Sequence, residues 1–425
     1  MKATFYKILS LKEGELKLLA LSCGFIFALF SSYAILRPMR DALGLEGGGD
    51  ELKWLFLATF IVCIFSSLLL MWLSGKIKRR FYADCVFIFF ALNLLIFYVL
   101  MNLFEPHTQN FIWLSRVFYV WISVFNLFAF SSAWSLLSDV FSKEASNRLF
   151  GIISAGASLG SIAGAGSVSF LVANFGVANL VFLSISLLII GILLKNAILK
   201  ELRHFENAEQ LERFDKTIGS KNPFVGFKLI IASKTLLALC AFILLLTSVS
   251  TFLYMEQARI VRELFPTREA RIAAFANIDL IVQLSSLAIQ IFLTAKIARF
   301  FGITALLSTL GFIIALGFIV LSFTHPAFLP LAIVMSIRRI GEYALVKPGR
   351  EMLFVPLSAD SKYKVKNFLD TVVYRGGDAL SAQIESILAS IGILCVLLTG
   401  AAISFVWGLL GVFLGRDYAK ENRKK

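Results

Sequence analysis

Leu73-Ser74-Gly75-Lys76-Ile77-Lys78-Arg79-Arg80-Phe81 is answered about 220 residues later by Leu293-Thr294-Ala295-Lys296-Ile297-Ala298-Arg299-Phe300-Phe301. A second echo has nearly the same offset and runs from Ser31-Ser32-Tyr33-Ala34-Ile35-Leu36-Arg37 to Ser250-Thr251-Phe252-Leu253-Tyr254-Met255-Glu256. A third pairs Phe141-Ser142-Lys143-Glu144-Ala145-Ser146 with Leu357-Ser358-Ala359-Asp360-Ser361-Lys362. Short echoes in the same order at a near-constant offset mark a duplicated chain. Two halves of like topology, side by side in a bilayer, are the pattern of a transporter with its site between the halves.

Of the 425 residues, 58% are hydrophobic and 42 are Phe. The mean hydropathy is +0.83. A soluble protein cannot hide that much apolar surface, whereas a bilayer lets it face lipid. A spanning helix needs about 20 apolar residues. Runs of that kind fall at 17–38, 54–74, 82–103, 111–137, 150–173, 177–199, 229–254, 272–295, 302–323, 327–347, 367–389 and 392–414. In hydrocarbon every backbone amide needs an internal partner, so such runs form helices. The expected fold is an all-α polytopic membrane protein of twelve transmembrane helices in two parallel six-helix repeats. Residues 1–199 and 229–425 are the two bundles, and 200–228 form a charged cytoplasmic linker.

The net charge of +14 could suggest nucleic acid, but its placement excludes that partner. Lys2, Lys7, Lys12 and Lys17 precede the first run, and Lys76, Lys78, Arg79 and Arg80 follow the second. Lys143 and Arg148 follow the fourth; Lys200, Arg203, Arg213, Lys216, Lys221 and Lys228 follow the sixth. Arg416, Lys420, Arg423, Lys424 and Lys425 close the chain. The alternate loops at Glu105-Pro106-His107, Asn174-Phe175-Gly176 and Thr324-His325-Pro326 carry neither Lys nor Arg. This is the positive-inside pattern, with both termini cytoplasmic and the bacterial inner membrane as the expected location. Arg259, Arg262, Arg268 and Arg271 break the pattern on the outer side. They read either as a collector of anionic substrate or as partners of Glu263 and Glu269.

Five cysteines in apolar runs, without paired spacing, read as buried thiols. His107, His204 and His325 fall in separate loops and form no cluster in sequence. Neither a metal, a cofactor nor an enzymatic activity is expected. Gly156-Ala157-Ser158-Leu159-Gly160 matches a nucleophile elbow, but that motif needs a strand-turn-helix context. Gly156, Gly160 and Gly164 recur every fourth residue in an apolar run, which reads as close helix packing.

Ionisable residues inside spans are the informative ones, since each costs roughly 2.5–3.5 kcal/mol on insertion scales. The candidates for substrate binding are Arg37 and Arg40 in the first span, Glu256 and Arg259 in the seventh, Asp279 in the eighth, Arg338, Arg339 and Glu342 in the tenth, and Arg375 and Asp378 in the eleventh. Arg116 and Glu385 read as snorkelling or functional, and Asp370 with Lys366 as an i,i+4 ion pair or a ligand. Arg338 and Arg339 are adjacent, point about 100° apart and lie mid-span, which fits a polar cavity facing a polyanion. Lys76, Arg79, Asp139, Arg148, Lys296 and Arg299 are the candidates for a cytoplasmic gate.

Several segments resemble the nucleotide transporter (ATP:ADP antiporter) family of intracellular bacteria and plastids. Leu36-Arg37-Pro38-Met39-Arg40-Asp41-Ala42-Leu43 is similar to its LRPMKDAL-like segment, with Arg40 where the family has a functional Lys. Glu256 stands where the family has a required Glu, and Asp139 roughly where it has a further polar residue. Lys347-Pro348-Gly349-Arg350-Glu351-Met352-Leu353-Phe354-Val355-Pro356-Leu357 resembles KEMAYIPL, and Lys364-Val365-Lys366-Asn367-Phe368-Leu369-Asp370 resembles KGKAAxD. The chain departs at Tyr374-Arg375-Gly376-Gly377-Asp378-Ala379-Leu380-Ser381, where many members carry a GKSGG-like segment with a functional Lys. Either Arg375 replaces that cation or the substrate differs. The resemblance implies a twelve-helix, major-facilitator-like monomer that exchanges ATP- and ADP-like nucleotides, or a related phosphorylated anion, by alternating access. The alternative is a cation- or proton-coupled permease for another organic anion on the same fold. GxxxxGK[ST] is absent, so gradients drive transport.

Overall fold

A computed structural model describes residues 15–141, 143–205, 214–215, 227, 230–354, 365–366 and 368–423. Lys2, Lys7, Lys12, Lys424, Lys425, most of the 200–228 linker, the 355–364 stretch and with it the second member of the third echo lie outside the described residues.

The described chain is built of helices. The first four are α1 (Glu15–Leu43), α2 (Leu52–Ser74), α3 (Arg79–Leu103) and α4 (Gln109–Val140), with a 3-10 turn at Gly49–Glu51 before α2. Helix Lys143–Phe205 breaks at Gly176 (φ 76°), giving α5 (143–175) and α6 (177–205). Next come α7 (Lys234–Leu264) and α8, which runs from Arg268 through a π segment at Gln290–Thr294. Gly302 (φ 74°) separates α8 (268–301) from α9 (303–324). A side chain at either of these left-handed positions would be strained, so glycine sets both bends.

In α10, Phe328–Gly341 passes through a π segment at Glu342–Val346 into Lys347–Leu353. In α11, a π segment at Leu369–Val373 leads into Tyr374–Ile391; α12 is Ile393–Arg423. The described residues thus form twelve rods, at the places of the twelve apolar runs. By length and apolarity alone, nine helical segments qualify to cross a membrane, one of them covering both α5 and α6. The two that fall short are α10 and α11, which carry Arg338, Arg339, Glu342, Arg375, Asp378 and Glu385. Large apolar side chains such as Phe65, Phe170, Phe300 and Phe323 are exposed, as a lipid-facing surface requires.

The helices divide into two compact units. The first draws its described residues from Met1–Glu46, Phe65–Lys221 and Arg268–Leu280; the second from Gly47–Ile64, Asn222–Thr267 and Ile281–Lys425. The division therefore falls inside α2 and α8, two helices that occupy equivalent places in the repeat.

In the first unit α1 packs on α5 and α6. Gly156, Gly160 and Gly164 face the α1 backbone at Cys23, Phe27 and Ser31. Ser31 Oγ donates to the Gly160 carbonyl at 2.9 Å. GxSxG here is a packing stripe on a helix, as its four-residue spacing predicts. In the second unit α9 packs against α12 and α7 against α11. Gly377 of α11 abuts Thr247 of α7, and Phe242, Phe318 and Trp407 fill the core.

Candidate functional site

Within the second unit, the charges of α7, α10 and α11 form ion pairs, and the Arg338–Glu342 pair is buried on both sides. Arg338 and Arg339 occupy the last turn of the first segment of α10 and are 6% and 3% exposed. Arg338 Nη1 donates to Glu342 Oε2 at 2.8 Å, an i,i+4 pair. Glu342 opens the π segment, a local irregularity that recurs at functional sites. Arg338 Nε is buried with no hydrogen-bond partner among the described residues. On α11, directly after another π segment, Arg375 lies 3.8 Å from Asp378. Thr251 Oγ1 of α7 donates to Asp378 Oδ1 at 3.2 Å, and Ser248 and Ser381 share a hydrogen bond at 2.8 Å. Tyr374 lies within electrostatic reach of Glu342, Asp378 and Arg338.

Three residues along the α7–α11 seam, with His325 beside them, form a second cluster. Arg259 Nη1 donates to Glu256 Oε2 at 2.6 Å, and its Nη2 donates to Glu385 Oε1. The two carboxylates are 1% and 0% exposed. His325, between α9 and α10, places Nε2 2.7 Å from Glu256 Oε1, but the approach is not aligned as a hydrogen bond and Glu256 Oε1 has no such partner. Glu385 does not snorkel. It is fully buried and committed to Arg259.

The first unit holds the remaining candidates. Arg37 Nε lies 3.7 Å from Asp279 Oδ2. Arg40 donates to Asp41 Oδ1 from Nε at 2.9 Å and Nη2 at 2.6 Å, and its guanidinium sits 5.2 Å from the Tyr119 ring centre. Among the gate candidates, Arg79 binds Asp139 at 2.9 Å and Arg148 makes a two-bond fork to Glu15 at 2.8 and 3.1 Å. Lys76 is exposed over the Trp72 ring at 3.9 Å. Lys296 is exposed, and the Arg299 side chain lies outside the described residues.

Two expectations are corrected. The arginines that break the positive-inside pattern lie on helices, Arg259 and Arg262 on α7, Arg268 and Arg271 on α8. Arg268 binds Glu46 at 2.9 Å and stacks on Phe111 at 4.2 Å, so its partner is neither Glu263 nor Glu269. Asp370 and Lys366 do not pair with each other; Asp370 binds Arg350 at 3.0 Å and Lys366 binds Glu351 at 2.7 Å. The π segment at Leu369–Val373 interrupts the α-helical i,i+4 register on which that pairing relied.

The sequence pattern that defines the Major Facilitator Superfamily matches residues 18–346. The chain belongs to this superfamily. It is a secondary transporter of the major facilitator fold. No curated protein sequence matches it. Among solved structures, the nucleoside transporter NupG superposes with a TM-score of 0.58 at 14% identity, over 96% of this chain and 99% of that one. A POT family transporter in complex with 5-aminolevulinic acid superposes with a TM-score of 0.66 at 12% identity, over 94% and 96%. A bacterial homologue of the iron transporter ferroportin, in an inward-facing state, gives 0.66 at 11% identity, over 94% and 99%. At these identities the likeness shows the fold alone.

Proposed function

We propose that the chain exchanges phosphorylated organic anions by alternating access, with nucleotides such as ATP and ADP the class its motifs resemble. The observation that carries this reading is the burial of Arg338 and Arg339, adjacent in α10, at 6% and 3% exposure. Guanidinium stays charged under all working conditions and binds phosphate through two parallel hydrogen bonds. Placing such groups in an apolar helix costs several kcal/mol, which a role in binding a polyanion would offset. Glu342 and Asp378 would hold Arg338 and Arg375 in place without substrate, and an incoming phosphate would take over that role. Arg37, Arg40 and Asp279, with Glu256, Arg259 and Arg339, complete the proposed substrate-binding set. Arg79, Asp139 and Arg148, with Lys76, Lys296 and Arg299, are the proposed cytoplasmic gate. The protein would act as a monomer in the bacterial inner membrane with both termini in the cytoplasm.

The test is reconstitution in proteoliposomes loaded with ADP, other phosphorylated anions or buffer, followed by uptake of labelled ATP. Uptake that needs an internal phosphorylated anion, and that Arg338→Lys abolishes, is expected. The lysine keeps the charge but loses the fork. Uptake no greater than in protein-free liposomes across the whole panel would reject the reading.

A further inference from the structure

We infer that the rings of Phe30, Tyr33 and Phe130 in the first unit form a stacking site for the base of a nucleotide whose phosphates Arg37 and Arg40 hold. This site rests on the anion-exchange reading and supplies what that reading lacks, a contact for the rest of the substrate. Between Ala28 and Leu43 of α1 every residue is buried except four: Phe30, Tyr33, Arg37 and Arg40. Steps of three, four and three residues keep these on one face of the helix. The accessible stripe of this stretch therefore reads ring, ring, cation, cation. A stripe turned to hydrocarbon would not carry two arginines, since each is costly in lipid.

Phe130 of α4 stacks on Phe30, with ring centres 4.1 Å apart and planes 11° from parallel. Tyr33 meets Phe130 edge-on at 5.2 Å and lies 6.4 Å from Phe125. Phe125 and its neighbour Phe90 are buried, at 0% and 3% exposure, whereas Phe30, Tyr33 and Phe130 are half-buried. The inner rings fill the core of the unit, and the outer three leave part of their π surface open on the stripe that bears the arginines. Tyr33 and Phe30 stand about 6 and 10 Å along the helix axis from Arg37, a separation that a ribose bridges between a base and its phosphates. Every nucleobase has a π face, so stacking binds it without requiring a hydrogen bond. The phosphates would take over from Asp279 and Asp41, which stand beside Arg37 and Arg40 at 3.7 and 2.6 Å. A sugar phosphate is the poorer occupant, because it has no flat ring to set against Phe30 and Phe130.

The experiment is isothermal titration calorimetry of the purified protein in detergent with ADP and with ribose 5-diphosphate, which lacks only the base. Wild type is expected to bind ADP tighter by roughly 5- to 150-fold, the contribution of stacking one base on aromatic side chains. Phe130→Leu and Tyr33→Leu keep apolar bulk and remove a ring. Each is expected to narrow that ratio, with the affinity for ribose 5-diphosphate unchanged. Tyr33→Phe keeps the ring and is expected to keep the ratio, and the two Tyr33 variants carry the test if Phe130→Leu does not fold. Equal wild-type affinities for the two ligands would overturn the proposal and leave anion binding standing. So would a ratio that survives in both leucine variants, or an equal loss of both affinities, which would make the rings packing groups. Binding of neither ligand would reject the anion reading itself, and this site with it.

Discussion

Replacing Gly164 with alanine tests the packing of α5 on α1 most directly. A Cβ there would sit 2.6 Å from the Ser31 carbonyl oxygen and 2.8 Å from the Ala34 Cβ. Carbon atoms prefer about 3.5–4.0 Å, so the two helices must part by roughly 1 Å. Overpacking of this kind costs about 1–3 kcal/mol. Shifting α1 also loosens the Ser31 bond to the Gly160 carbonyl, worth about 0.6 kcal/mol in a membrane setting. Against this, alanine is about 1 kcal/mol better than glycine within a helix. The net expectation is a loss of about 1–2 kcal/mol.

Gly151, on the same helix, supplies the control, because nothing lies within 4 Å of a Cβ built there. Gly151→Ala collects the helix term alone and should gain about 1 kcal/mol. The two variants should therefore move in opposite directions from wild type. In a Cys85→Ser background, which removes the one exposed thiol, a thiol-reactive dye can follow melting in detergent, since Cys63 is buried and Cys23, Cys240 and Cys395 are part-buried. If Gly164→Ala melts at or above Gly151→Ala, the close approach does not hold these helices together.

Arg338→Met leaves Glu342 buried without its partner and should cost about 3–5 kcal/mol; adding Glu342→Leu should restore the melting temperature but not uptake. Glu256→Gln and Arg40→Ala should each reduce uptake in proteoliposomes to the background of empty liposomes, with membrane insertion unchanged on fractionation; wild-type rates in either would remove that residue from the transport cycle. Arg268→Gln strips Glu46 of its 2.9 Å partner, so melting should fall while Arg262→Gln leaves it close to wild type. The salt dependence of uptake should stay unchanged in the Arg262 and Arg268 double variant. A raised Michaelis constant with weaker salt dependence would instead assign these arginines the role of anion collector.

Much of the fold was legible because lipid imposes one rule on every span. The apolar runs place all twelve rods, and the glycine spacing at 156, 160 and 164 predicts the contact with α1. The bends at Gly176 and Gly302 fall at ends of apolar runs. The candidate residues were legible individually, since a charge in an apolar run stands out by its cost. Their partners were not. Glu385 pairs with Arg259 across 126 residues and His325 meets Glu256 from a separate loop, so no local spacing encodes either contact. The helix register even misled at Lys366 and Asp370, where a π segment changes which side chains are neighbours. Thr251, Ser248 and Ser381 escaped notice because hydroxyls in apolar helices carry no sequence-level penalty.

The division of the chain inside α2 and α8 bears on its ancestry. A fragment ending at the linker would lack 268–280, leaving Glu46 without Arg268 and Arg37 without Asp279. The complementary fragment would lack 47–64, and with it Lys53 on Ser386 and Phe56 against Tyr254. Neither half-chain owns a whole unit, and the loan is reciprocal at matching places in the repeat. A single-repeat forebear could have met the same need by lending that segment to an identical neighbour around a two-fold axis, as domain-swapped dimers do. Fusion of the two copies would then have fixed a loan that once had to be renegotiated at every assembly. It would also have freed the copies to diverge, as they have: α7 ties Arg259 to Glu256 and Glu385, whereas α1 holds Arg40 on its neighbour Asp41.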